Sequence, residues 1–146
     1  MSERTNIIQE IYRAFLEEYE KDSTRIGDLA EKYLQLLIPY AEAGLKHSPA
    51  AKIYQVAFME HLETFWTSRL PTIPFPLPKK FTSIRELYRQ ALEAILSSPA
   101  SGERLAKLKT RTGMWSSAEL ERWAREEVAK IFFDTVVVIL RDMGEL

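Results

Sequence analysis

The chain of 146 residues has no cysteine, one asparagine, two histidines and five glycines, and each shortage closes off a class of chemistry. Without cysteine there are no disulfides, no thiol nucleophile and no thiolate metal site. The histidines, His47 and His61, lie far apart, and no Glu-x-x-His pair occurs, so a dinuclear carboxylate centre is not expected. His61 reads as a helix-surface or core-edge residue rather than a ligand. The glycines (27, 44, 102, 113 and 144) form neither a phosphate loop nor a dinucleotide fingerprint. Serines fall at expected caps and turns, and Ser48, which follows His47, is itself read as a helix cap. No uncharged apolar run approaches the roughly 18 residues of a membrane span. The first residues, Met-Ser-Glu-Arg-Thr, carry no apolar signal-peptide core. The expectation is a non-enzymatic protein, without cofactor or metal, that is used without secretion.

What is present is 46% hydrophobic and 28% charged, the balance of one globular domain. Scarcity of Asn and Gln beside abundant Glu, Lys and Arg is the pattern of a thermophile's protein. The formal net charge of −1 hides a gradient. Residues 1–42 carry a net −4, residues 43–111 a net +6, and residues 112–146 a net −3. A basic belt between acidic ends is either a solvated mixed surface or a polyanion contact, since local field matters more than overall charge.

Apolar residues recur at helical spacing in six segments. The first spans residues 6–21, with Ile8, Ile11, Tyr12, Phe15 and Tyr19 on one stripe. A second spans residues 25–38, where Pro39 should kink or end it and Gly44 could stop any extra turns. Ser48-Pro49 restarts a third that runs to Arg69. Ser83-Ile-Arg-Glu86 is a capping box opening a fourth. A short basic helix follows the turn at residues 98–102. A second box, Ser116-Ser-Ala-Glu119, opens the last helix, which reaches about Asp142. Its run from Ile131 to Leu140 is apolar except for Asp134 and Thr135, and reads as a central core helix or as one with a face against another subunit. Tyr and Trp residues at helical spacing read as core rather than base-stacking platforms.

Between the third and fourth helices, prolines 71, 74, 76 and 78 remove four backbone donors. This strap should run extended, at about 3.1 Å per residue. Its apolar residues Ile73, Phe75, Leu77 and Phe81 call for a surface to lie on, the chain's own or a neighbour's. The predicted fold is all-α: an amino-terminal helical arm (1–70), a proline-rich strap (71–82) and a carboxy-terminal helical bundle (83–146).

The basic residues are the remaining signal. Lys46 and Lys52 lie in a window without acids; Arg69, Lys79 and Lys80 flank the strap; Arg85 and Arg89 stand one turn apart; Lys107, Lys109 and Arg111 close the belt. Such side chains suit phosphate contacts that position a protein without reading sequence. No recognition-helix signature points to base readout.

Around Pro78-Lys-Lys-Phe-Thr-Ser83 and the helix after it, the sequence resembles the major coat proteins of filamentous and rod-shaped archaeal double-stranded DNA viruses. The likeness covers residues 77–113 and includes the layout of amino-terminal helices, proline joint and helical bundle. It implies a virion protein made in the host cytoplasm, pairing as a homo- or heterodimer and polymerising around A-form DNA wrapped by the helices before Pro71. The acidic residues 1–42 depart from that pattern and point to a second, more basic coat protein. A small helical adaptor of a nucleoprotein complex, such as a CRISPR effector subunit, is the alternative.

Overall fold

The computed structural model describes residues 3–97 and 117–146. Their regular structure is all helical: α1 (Glu3–Lys21), a 3₁₀ turn (Ser23–Arg25), α2 (Ile26–His47), α3 (Ala51–Arg69), α4 (Ile84–Ser97) and α5 (Ser117–Asp142). The expected short basic helix, the turn before it and the start of the second capping box lie outside the described residues.

The 26-residue α5 is the axis of the fold. Ile131, Phe132, Val136, Ile139 and Leu140 are fully enclosed, and Phe133 and Val137 nearly so. The other four helices supply the enclosure, and one hydrophobic core joins residues from Ile8 to Leu140. Thr135 is buried within the apolar run without penalty, because its hydroxyl donates to the Ile131 carbonyl at 2.8 Å.

Helix α2 continues past Pro39 to His47, so the proline does not end it near residue 38, one of the two outcomes the sequence allowed. Gln35, Leu36 and Pro39 are exposed, so water can satisfy the carbonyl that proline leaves without a donor. On the opposite side Leu37, Ile38, Ala41 and Leu45 are buried, and that burial outweighs one lost hydrogen bond. Gly44 does not stop the helix either: it marks a close approach. A Cβ there would come within 2.4 Å of the Met143 sulfur, and one at Gly27 within 2.8–2.9 Å of the Glu126 side-chain carbons. These contacts set α2 and α5 side by side and parallel, 17 residues apart along each helix.

The two glycines should respond differently to substitution. At Gly27 the obstacle includes the Glu126 Cβ, which cannot move without its backbone, so Gly27→Ala is expected to cost about 1–3 kcal/mol. At Gly44 the obstacle is the far end of a flexible thioether, and Gly44→Ala should stay within about 1 kcal/mol, helped by better helix propensity. Urea midpoints of the two variants test this; a larger loss at Gly44 contradicts it.

Helix α1 lies antiparallel to α5. Phe15 meets Phe133 with ring centroids 4.4 Å apart, and the Arg141 guanidinium donates to the Tyr12 hydroxyl at 3.1 Å. Gly144, at φ +79°, turns the chain after α5, with the Glu145 amide bonded back to the Leu140 carbonyl at 2.8 Å. Glu145 then accepts from the Thr5 hydroxyl at 2.5 Å and pairs with Arg4 at 3.5 Å.

A polar clasp joins α1 to α2: Glu18 accepts from the Tyr33 hydroxyl and, at 3.1 Å, from Lys32 Nζ. These bonds, with the Tyr33 hydroxyl first, hold the Glu18 carboxyl below its ordinary pKa of 4.5. The folded state therefore favours the charged form. Its stabilisation is complete above pH 4.5 and fades as pH falls through the lowered folded-state pKa. Glu18→Gln should show a shallower loss of stability between about pH 5 and pH 3 in urea titrations. An acid limb as steep as the unaltered protein's would remove Glu18 as a contributor.

The strap does not run fully extended. The Ile73 amide bonds to the Leu70 carbonyl at 3.1 Å, turning the chain immediately after α3. Ile73 and Leu77 are then buried in the chain's own core. Trp66, fully enclosed, donates from its indole nitrogen to the Ile73 carbonyl at 2.8 Å and meets Phe75 edge-on at 6.2 Å. Phe81 meets Phe58 at 5.5 Å. The strap thus climbs back along α3 from the level of Trp66 to that of Phe58, about 12 Å of helix. The stretch from Ile73 to Phe81, fully extended at about 3.1 Å per residue, would reach about twice as far.

Candidate nucleic-acid interface

The return of the strap brings together residues that are distant in sequence. Glu42, near the end of α2, accepts the Ile84 backbone amide in the first turn of α4 and lies 3.3 Å from Lys46 Nζ. Its carboxylate therefore neutralises an otherwise open helix N-terminus. Ser83 caps the same helix, its hydroxyl accepting the Glu86 amide at 3.1 Å. Ser48 accepts the Ala50 amide at 3.0 Å in the turn before α3, a helix whose N-cap, Ala50, provides no side-chain hydrogen bond.

The end of α2, the start of α3, the last strap residues and the start of α4 thus form one end of the molecule. Lys46, Lys52, Lys79, Lys80 and Arg85 all belong to it and are exposed. Lys46 is tied to Glu42. For Lys52, Lys79, Lys80 and Arg85 the described residues provide no ion pair. Their ammonium and guanidinium groups face water and are open to an anionic partner.

The other candidates are committed elsewhere. Arg69, at the far end of α3, pairs with Asp134 of α5, and its guanidinium lies 5.9 Å from the centre of the Phe65 ring. Arg89 is bracketed by Glu86 and, at 2.7 Å, by Glu93. Those two carboxylates push its pKa up, Glu86 most, while Arg89 and Gln90 hold Glu86 below its usual range. Lys107, Lys109 and Arg111 lie outside the described residues. The structure thus separates the expected set into four open cations, Lys46 beside them tied to Glu42, and two internally paired arginines. Sequence reasoning passed over Glu42, the residue that joins α2 to α4. Its i,i+4 spacing to Lys46 was visible, but its bond to Ile84 crosses 42 positions of the chain.

Elsewhere the surface is less directed. A groove of about 310 Å³ opens between α1 and α3 over α5, lined mainly by Tyr12, Phe15, Tyr19, Phe65, Phe133 and Val137. His61 lies 3.6 Å from Asp142 at its edge of α3. Among the described residues no group of three His, Cys, Asp or Glu side chains could hold a metal ion, and no helix is long and apolar enough to cross a membrane. No protein-family model, curated protein or solved structure matches the chain.

Proposed function

We propose that this protein is a structural subunit that coats double-stranded DNA through sequence-independent phosphate contacts, as the major coat protein of a filamentous archaeal virus. The observation that carries this reading is the exposed cluster of Lys46, Lys52, Lys79, Lys80 and Arg85 at one end of a rigid helical body. Four of these five have no internal counter-charge among the described residues, so phosphate would not have to displace a carboxylate there. Lys52 stands at the start of α3, where backbone amides add a favourable field for an anion, whereas the start of α4 is already occupied by Glu42 and Ser83. The cations are spread over the ends of three helices and the strap rather than set along one helix that could enter a groove, which suits contact with the phosphate backbone.

Helices α1–α3 share their core with α5. Wrapping DNA with the amino-terminal half would require opening that core, and in the conformation described here the basic end makes the contact instead. The acidic charge of residues 1–42 favours a second, more basic coat protein as co-assembling partner. The shared core is also what a compact adaptor subunit of a nucleoprotein complex would need, and this is the second reading. That protein would bind nucleic acid as a discrete particle and form no filament.

Binding to two unrelated DNA duplexes, followed by fluorescence anisotropy across a salt series, tests the phosphate contact. Equal affinities are expected, with log K falling linearly against log salt at a slope of about −4.5 for five phosphate contacts. Strong preference for one duplex, or affinity independent of salt, would contradict it.

A further inference from the structure

The two most exposed large apolar side chains in the described structure are Ile53, at 70% of its free surface, and Val56, at 59%. Both lie on α3, one turn apart. At 100° per residue, Lys52, Ile53, Val56, Glu60, Glu63 and Thr67 fall within one stripe of about 120°. This stripe is opposite the buried face of Phe58, Leu62 and Trp66. Its order is directional: basic at the start, apolar in the middle, acidic beyond. β-branched residues gain a helix nothing on an open face, so their contribution comes when the face is covered.

We infer that this stripe is a self-complementary interface on which α3 packs antiparallel against α3 of a second copy, with the two-fold axis at Val56. That register follows from the charges. Reflected about position 56, Lys52 of one copy meets Glu60 of the other, twice by symmetry. Ile53 and Val56 from both copies fill the centre. An isologous contact of this kind closes as a dimer. The two-fold sets like positions far apart in proportion to their distance from the axis. Val56 faces its own copy directly, whereas Thr67, eleven residues along, lies about 33 Å from its counterpart. A parallel pairing would instead place Lys52 beside Lys52 and Glu60 beside Glu60, like charges in contact. Lys52 belongs also to the cluster proposed above for phosphate; pairing it with the partner's Glu60 leaves Lys79, Lys80 and Arg85 for that contact, and the dimer is tested without nucleic acid.

The absence of native cysteine makes the test direct. Val56→Cys and Thr67→Cys are prepared singly, both at exposed positions, and oxidised under mild conditions. Non-reducing electrophoresis should show a disulfide-linked dimer for Val56→Cys and little for Thr67→Cys. In sedimentation velocity, Lys52→Glu should weaken the dimer at least tenfold, and the swap Lys52→Glu with Glu60→Lys should restore it. Equal cross-linking at both positions, a monomer at all concentrations, or a swap no better than the single reversal would overturn the proposal.

Discussion

Trp66→Ala is expected to remove about 3–5 kcal/mol of stability and to release the proline strap from α3. The indole is fully enclosed, and it alone ties the strap to the helix by both packing and a hydrogen bond, at 2.8 Å to the Ile73 carbonyl. Truncation leaves a cavity and a buried carbonyl without its donor, and Phe75 loses its edge-on neighbour. Trp66→Phe keeps an aromatic ring at the site but loses the indole N–H and part of the ring volume, and should cost less than the alanine variant, about 1–3 kcal/mol. Urea denaturation gives the magnitudes. Limited proteolysis locates the effect, because cleavage within residues 71–82 should appear in Trp66→Ala under conditions where the unaltered chain resists. If stability falls but the strap stays protected, Ile73 and Leu77 hold it without help from Trp66.

The second large effect concerns binding. Replacing Lys46, Lys52, Lys79, Lys80 and Arg85 together by alanine should lower DNA affinity at about 100 mM salt by at least a hundredfold and bring the salt slope close to zero. Arg69→Ala and Arg89→Ala should each change affinity little, because both guanidiniums are engaged by carboxylates of their own chain. Arg69→Ala should instead act on stability, since it leaves Asp134 beside an apolar groove without its partner. Equal binding losses from the paired arginines and the open cluster would mean that the DNA contact is spread over the whole surface.

The contrast between these residues shows what could be read in advance. All-helical architecture was legible because stripes such as Ile84, Leu87, Ala91 and Ile95 repeat at helical spacing and became buried faces. The Ser83 cap was legible because its chemistry is local. Its partner Glu86 was legible only in part: its carboxylate turns to Arg89 and Gln90, where a charged donor competes with the backbone amide. Local rules did not settle whether α2 ends at Pro39; it continues, because burial on the opposite side outweighs the proline's missing donor. They also failed for the course of the strap. Four prolines announce an irregular segment, but the surface it packs on is set by Trp66 and Phe58. The status of each cation was likewise hidden, because whether an arginine is free depends on an acid that can lie 65 residues away, as Asp134 does from Arg69.

The most direct test of the coating role is electron microscopy of the purified chain with and without long double-stranded DNA, at about 50 mM and 500 mM salt. Regular filaments that require DNA and disperse at the higher concentration, as phosphate contacts weaken, are the expected result. If the chain alone forms none, the same grid should be prepared with a more basic co-expressed coat protein. Discrete particles of fixed size under every condition, with DNA and with that partner, would contradict the coating role and favour the compact adaptor.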